Sequence, residues 1–83
     1  MLPCIISAQH DGAYRVWLKF SDGAMGTVNL EPELHGPLFE PLRDETLFSK
    51  LRLDADLRTV AWPNGADLAP EFLRELLESG ITK

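Results

Sequence analysis

The stretch Tyr14-Arg15-Val16-Trp17-Leu18-Lys19-Phe20 decides the fold. Tyr14, Val16, Leu18 and Phe20 fall on one side, and Arg15, Trp17 and Lys19 on the other. This period of two marks a strand with one buried face, and it predicts a strand over residues 13–20. The second face is amphipathic, because Trp17 stands between two cations.

Outward from that strand, both flanks carry the composition of tight turns. Asp11-Gly12 precedes it and Ser21-Asp22-Gly23 follows, with glycine free to take the positive φ that other residues resist. Residues 4–10 are β-prone, and residues 25–30 return as a third strand with Val28 and Leu30 inward. Three strands joined by short turns make an antiparallel meander, one face of which the rest of the chain must cover.

Beyond Leu30 the pattern breaks at Pro32, Gly36, Pro37 and Pro41, which predicts a loop with at most a turn of helix. Asp44 is placed to cap a short helix over residues 45–50, with Leu47, Phe48 and Leu51 on its apolar face. Strands follow over residues 51–54 and 59–62. The last element is a helix from Pro70, a residue suited to the first helical position, to Ser79, with Gly80 as its stop. Phe72, Leu73, Leu76 and Leu77 form its apolar stripe, and Arg74 and Glu78 stand one turn apart. The expected fold is α+β, in the order β-β-β-α-β-β-α: an antiparallel meander sheet with two short helices packed on one face. Five strands in one open sheet would leave edges, and edge pairing would give a homodimer.

Eighty-three residues make a single domain, residues 1–83, with a thin stability margin. One cysteine, Cys4, excludes an internal disulfide and a multi-cysteine zinc site. The apolar start lacks a basic leader region and ends at His10, so the expected compartment is the cytoplasm. No window approaches the ~20 apolar residues of a membrane span. Thirteen acidic against eight basic residues give a net charge of -5, which suits a basic protein partner and disfavours nucleic acid for this domain alone.

The residues with chemistry to offer are few. Trp62-Pro63-Asn64-Gly65-Ala66-Asp67 precedes the last helix, and read as a binding site it supplies an aromatic platform in Trp62, hydrogen bonds from Asn64 and a carboxylate in Asp67. Read as structure, Pro63 ends a strand, Asn64-Gly65 turns the chain, and Asp67 bonds free backbone N–H groups ahead of Pro70. The structural reading uses every residue except Trp62. Trp17 with Arg15 and Lys19 is the other constellation, fit to stack on and pair with an acidic segment or single-stranded nucleic acid. Its structural reading is an exposed sheet face on which Trp17 covers its neighbours. Asp54, Asp56 and Asp67 have no spacing that gathers them, and Cys4, His10 and His35 have no zinc-like spacing. No catalytic residue, metal ligand or cofactor fingerprint stands out.

Three ordered motifs carry a resemblance: Phe20-Ser21-Asp22-Gly23, then Gly36-Pro37-Leu38-Phe39-Glu40-Pro41-Leu42-Arg43-Asp44, then Trp62 through Pro70. With them the chain resembles an uncharacterised bacterial family, domain of unknown function 2442. The resemblance implies a small α+β fold like the N-terminal domain of a hypothetical protein, which in that larger architecture precedes a helix-turn-helix domain. It also implies a role beside another small protein encoded nearby, in the manner of an antitoxin, and it supplies no catalytic residue. The expected function is therefore a small binding or interaction module. The alternative is a small-molecule-binding or catalytic domain centred on the Trp62–Asp67 loop.

Overall fold

A computed structural model describes residues 4–79. Residues 1–3 and the expected helix stop at Gly80 lie outside them. The elements run β1 (Ile5–His10), β2 (Arg15–Phe20), β3 (Met25–Asn29), two short 3₁₀ turns (Glu31–Glu33 and Glu40–Arg43), α1 (Glu45–Phe48), β4 (Arg52–Asp54), β5 (Thr59–Ala61) and α2 (Pro70–Ser79). This is the α+β order read from the sequence.

The meander forms as the alternation requires. β1, β2 and β3 pair antiparallel in that order, and Val16, Leu18 and Phe20 are fully buried on the inner face. Gly12 and Gly23 take φ of 80° and 94° in the two connecting turns. β2 begins at Arg15, because Ala13 also takes a positive φ, 47°, and Tyr14 belongs to the turn. That left-handed alanine is held at both backbone atoms. Its N–H donates to Glu45 Oε2 (3.2 Å), and its carbonyl accepts from His10 Nε2 (2.8 Å).

The five strands divide into two sheets instead of forming one. β4 and β5 pair with each other and with no strand of the meander, and this ribbon lies alongside β1. The Phe48 ring stands at the junction, 5.7 Å from the His10 ring, 5.4 Å from Tyr14 and 5.5 Å from Trp62. An aromatic side chain in that position keeps the ribbon from continuing the meander.

α1 ends at Phe48, two residues earlier than its pattern suggests. Asp44 caps it by accepting from the Thr46 N–H (3.0 Å). At its other end Lys50 and Leu51 donate to Leu47 and Phe48, i→i+3 bonds that tighten the chain into β4.

α2 starts at Pro70 and buries Leu73 and Leu76 against the meander. It passes so close to β3 that a Cβ on Gly26 would stand 2.6 Å from Leu77 Cδ1. Arg74 lies over the Phe20 ring (5.2 Å) and bridges to Asp22 (2.9 Å) and Glu78 (2.7 Å), so the second hairpin turn is tied to the helix. One core joins all of these layers: Ile5, Val28 and Leu30 from the meander, Leu34, Leu42 and Phe48 from the insertion, Val60 and Trp62 from the ribbon. No helix among the described residues is long and apolar enough to cross a membrane.

Candidate functional site

The Trp62–Pro70 segment is a hairpin return followed by a helix start. Gly65 N–H donates to the Trp62 carbonyl (3.0 Å), closing a turn over Pro63 and Asn64, and Gly65 takes φ 93°. Trp62 N–H then donates to the Ala66 carbonyl (2.9 Å), and Ala61 bridges Asp67. The pattern is a type I turn closed by a left-handed glycine, the three-residue hairpin loop that Pro-Asn-Gly favours.

Each residue of interest has a definite place there. Trp62 is 2% exposed, and its indole N–H donates to the Phe48 carbonyl (2.9 Å), so the ring fills the core and leaves no open platform. Asn64 uses both ends of its amide: Nδ2 donates to the Leu38 carbonyl (2.9 Å), and Oδ1 accepts from Ala66 N–H (3.1 Å). It pins the hairpin loop to the Gly36–Arg43 insertion. Asp67 is exposed, and its carboxylate makes no hydrogen bond or ion pair with a described residue. Thr59 Oγ1 instead donates to the carbonyl of Leu68 (2.5 Å) and fixes the approach to α2.

Two surface hollows lie nearby, and neither is lined by Trp62, Asn64 or Asp67. One, of about 500 Å³, lies over Gly36, Pro37, Glu40 and Pro41. The other, of about 330 Å³, lies among His10, Glu45, Thr46 and Ser49. In the second, Ser49 Oγ donates to the Thr46 carbonyl (2.7 Å) while His10 and Glu45 hold Ala13, so those polar groups serve the backbone. Asp54 accepts from the N–H groups of Asp56 and Leu57 in the β4–β5 turn (2.9 and 3.0 Å). Among the described residues no group of three His, Cys, Asp or Glu side chains is gathered to hold a metal ion.

The outer face of the meander brings Trp17 together with more than the sequence pattern specified. Trp17 is flanked across the sheet by Gln9 and Thr27, Lys19 by Ser7 and Met25, and Arg15 by Asn29. Met25 is 53% exposed, and Ile6, displaced by the register shift between Ile5 and Ser7, is 50% exposed. Trp17 itself is half-buried, Arg15 is exposed, and Thr27 Oγ1 donates to Asp11 (3.3 Å) at the rim. Met25 and Ile6 were missed because strand pairing, not sequence spacing, sets them beside Lys19 and Ser7. The resulting surface has Trp17 at its centre between Arg15 and Lys19 on β2, with Ile6 and Met25 on the outer strands to either side of Lys19.

A small α+β domain in which Asn64 ties the Trp62–Pro70 hairpin to the Gly36–Arg43 insertion and Asp22 ties the β2–β3 turn to α2 is the class defined by this fold. The chain belongs to the family described as protein of unknown function (DUF2442), which matches residues 5–79. No curated protein and no solved structure matches it.

Proposed function

We propose that this domain is a non-enzymatic protein-interaction module whose contact surface is the outer face of β1–β3. The single observation behind this reading is the outer face itself, on which half-buried Trp17 shares the central strand with Arg15 and Lys19 while exposed Ile6 and Met25 flank Lys19 from the outer strands. Half-buried tryptophan with neighbouring apolar side chains is the composition of binding hot spots, where a rigid aromatic gives large contact area at small entropic cost. The two cations select an acidic segment on the partner. Local charge at the contact governs this pairing more than the net charge of -5, which acts on approach from a distance. The partner we infer is a small protein encoded beside this one in a bacterial cytoplasm, held in an antitoxin-like or regulatory complex.

The test is co-expression with the adjacent gene product followed by gel filtration at ~10 μM, where a sub-micromolar complex co-elutes. Trp17→Ala is expected to weaken the complex by about 30-fold or more, the loss typical of a hot-spot aromatic. Separate elution of the wild-type proteins overturns the proposal. An undiminished affinity for the Trp17→Ala variant moves the contact off this face.

A further inference from the structure

β3 is an edge strand of the meander, paired on one side with β2. Phe20 N–H donates to the Ala24 carbonyl and Leu30 N–H to the Tyr14 carbonyl (both 2.8 Å). In an antiparallel ladder, hydrogen-bonded and non-bonded pairs alternate. Gly26 and Val28, in step with Ala24 and Leu30, therefore turn their backbone groups toward β2, while Met25, Thr27 and Asn29 turn theirs away from it. No described residue partners those outward N–H and C=O groups.

Exposed edges are ordinarily blunted by lysine, proline, a bulge or a covering segment. β3 carries no charged residue and no proline, and its pairing with β2 runs in unbroken register over all five residues. The opposite edge of the sheet, β1, has both an irregular register and the β4–β5 ribbon beside it, whereas α2 packs on β3 at Gly26, a residue whose backbone turns toward β2. The contrast lies between two edges of the same sheet.

We propose that β3 pairs antiparallel with β3 of a second copy, with Thr27 on the two-fold axis. Thr27 then opposes the partner's Thr27, and Met25 opposes the partner's Asn29. In that register the outward residues fall in hydrogen-bonded pairs, so every outward N–H and C=O of Met25, Thr27 and Asn29 gains a partner. No charged side chain of β3 opposes its copy, the Asp11 carboxylate of each copy accepts from its own Thr27 Oγ1 (3.3 Å), and the uncharged Met25 and Asn29 side chains stand at ~5.5 Å Cα separation on the outer face. The product is a continuous sheet of six strands, three from each copy. Both Trp17 faces lie on the same side of it. The inference is independent of which partner, if any, that face binds.

Sedimentation equilibrium of the purified chain over ~1–100 μM is expected to give twice the chain mass at the upper end, with a concentration-dependent mass below it. Two double variants test the register. Met25→Lys with Asn29→Lys sets like charges opposite each other at both ends of the pairing and is expected to give the monomer mass. Met25→Lys with Asn29→Glu sets opposite charges together and is expected to retain the dimer. Both remove the Asn29 amide that accepts from Glu31 N–H (3.1 Å), so that loss is common to the two. A monomer mass for the wild-type chain over the whole range overturns the proposal. A wild-type dimer that both variants preserve, or both abolish while circular dichroism shows them folded, overturns this pairing.

Discussion

The indole N–H of Trp62 donates to the carbonyl of Phe48 at 2.9 Å, and the two rings lie 5.5 Å apart. That bond joins the end of α1 to the end of β5 inside the core. It also meets the polar demand of a large aromatic that is 2% exposed. Because Phe48 also meets His10 and Tyr14, the Trp62 contact makes Phe48 the hub of an aromatic cluster between the meander and the ribbon.

Trp62→Phe keeps an aromatic in place but removes one of the two donors to the Phe48 carbonyl, which retains the Leu51 N–H (3.2 Å). Losing a hydrogen bond whose acceptor keeps another donor costs about 0.5–1.5 kcal/mol, and the smaller ring adds a cavity contribution. Trp62→Ala is expected to cost about 3–5 kcal/mol, a large share of the stability of a small domain. Urea unfolding monitored by far-UV circular dichroism measures both. A loss below about 0.5 kcal/mol for Trp62→Phe contradicts this account, because it lies under the range for a lost hydrogen bond even before the cavity is counted.

The elements legible in the sequence are those whose cause is local. Alternation placed β2, Asp-Gly placed the turns, Asp44 capped α1, and Pro70 opened α2. What was illegible depends on contacts between distant residues. Ala13 sits in a left-handed conformation because Glu45, 32 residues away, receives its N–H. The five strands split because Phe48 stands between β1 and the ribbon, and no periodicity reports where a side chain from another segment inserts. At the candidate sites, the turn chemistry of Asn64-Gly65 was readable, whereas the Asn64 bond to Leu38 spans 26 residues and was not. Asp67 was expected to bond backbone N–H groups and instead faces solvent; the approach to α2 is held by the Thr59 hydroxyl, which donates to the Leu68 carbonyl across nine residues.

Asn64 holds two loops with one side chain, and its substitution separates the two bonds. Asn64→Ala removes both and is expected to cost about 1–2 kcal/mol, two ordinary hydrogen bonds at a half-buried position. Asn64→Asp keeps an acceptor for Ala66 N–H but turns a carboxylate oxygen toward the Leu38 carbonyl. The hairpin turn should then persist while the tie to the insertion is lost. Amide hydrogen exchange reads the difference: Ala66 stays protected in Asn64→Asp and exchanges faster in Asn64→Ala. Equal exchange at Ala66 in the two variants contradicts this division of roles.

Asp22 ties the β2–β3 turn to α2, and its titration should be visible in the stability of the domain. Its carboxyl is held below its ordinary value of 3.8, first by the Ala24 N–H (3.2 Å) and then by the Arg74 guanidinium. A carboxyl depressed in the folded state binds its proton more readily when unfolded. Its stabilising contribution is therefore full above pH 3.8 and is lost as pH falls through the lower folded value. Asp22→Asn removes that proton linkage and leaves an amide oxygen able to accept from Ala24. The variant should be the slightly less stable protein at pH 7, as the loss of a solvent-screened ion pair predicts. Between about pH 5 and pH 2 its midpoint should fall less steeply than that of the wild type. Urea midpoints for the two proteins across that range provide the measurement. Parallel pH profiles would mean that Asp22 and Arg74 meet without energetic consequence.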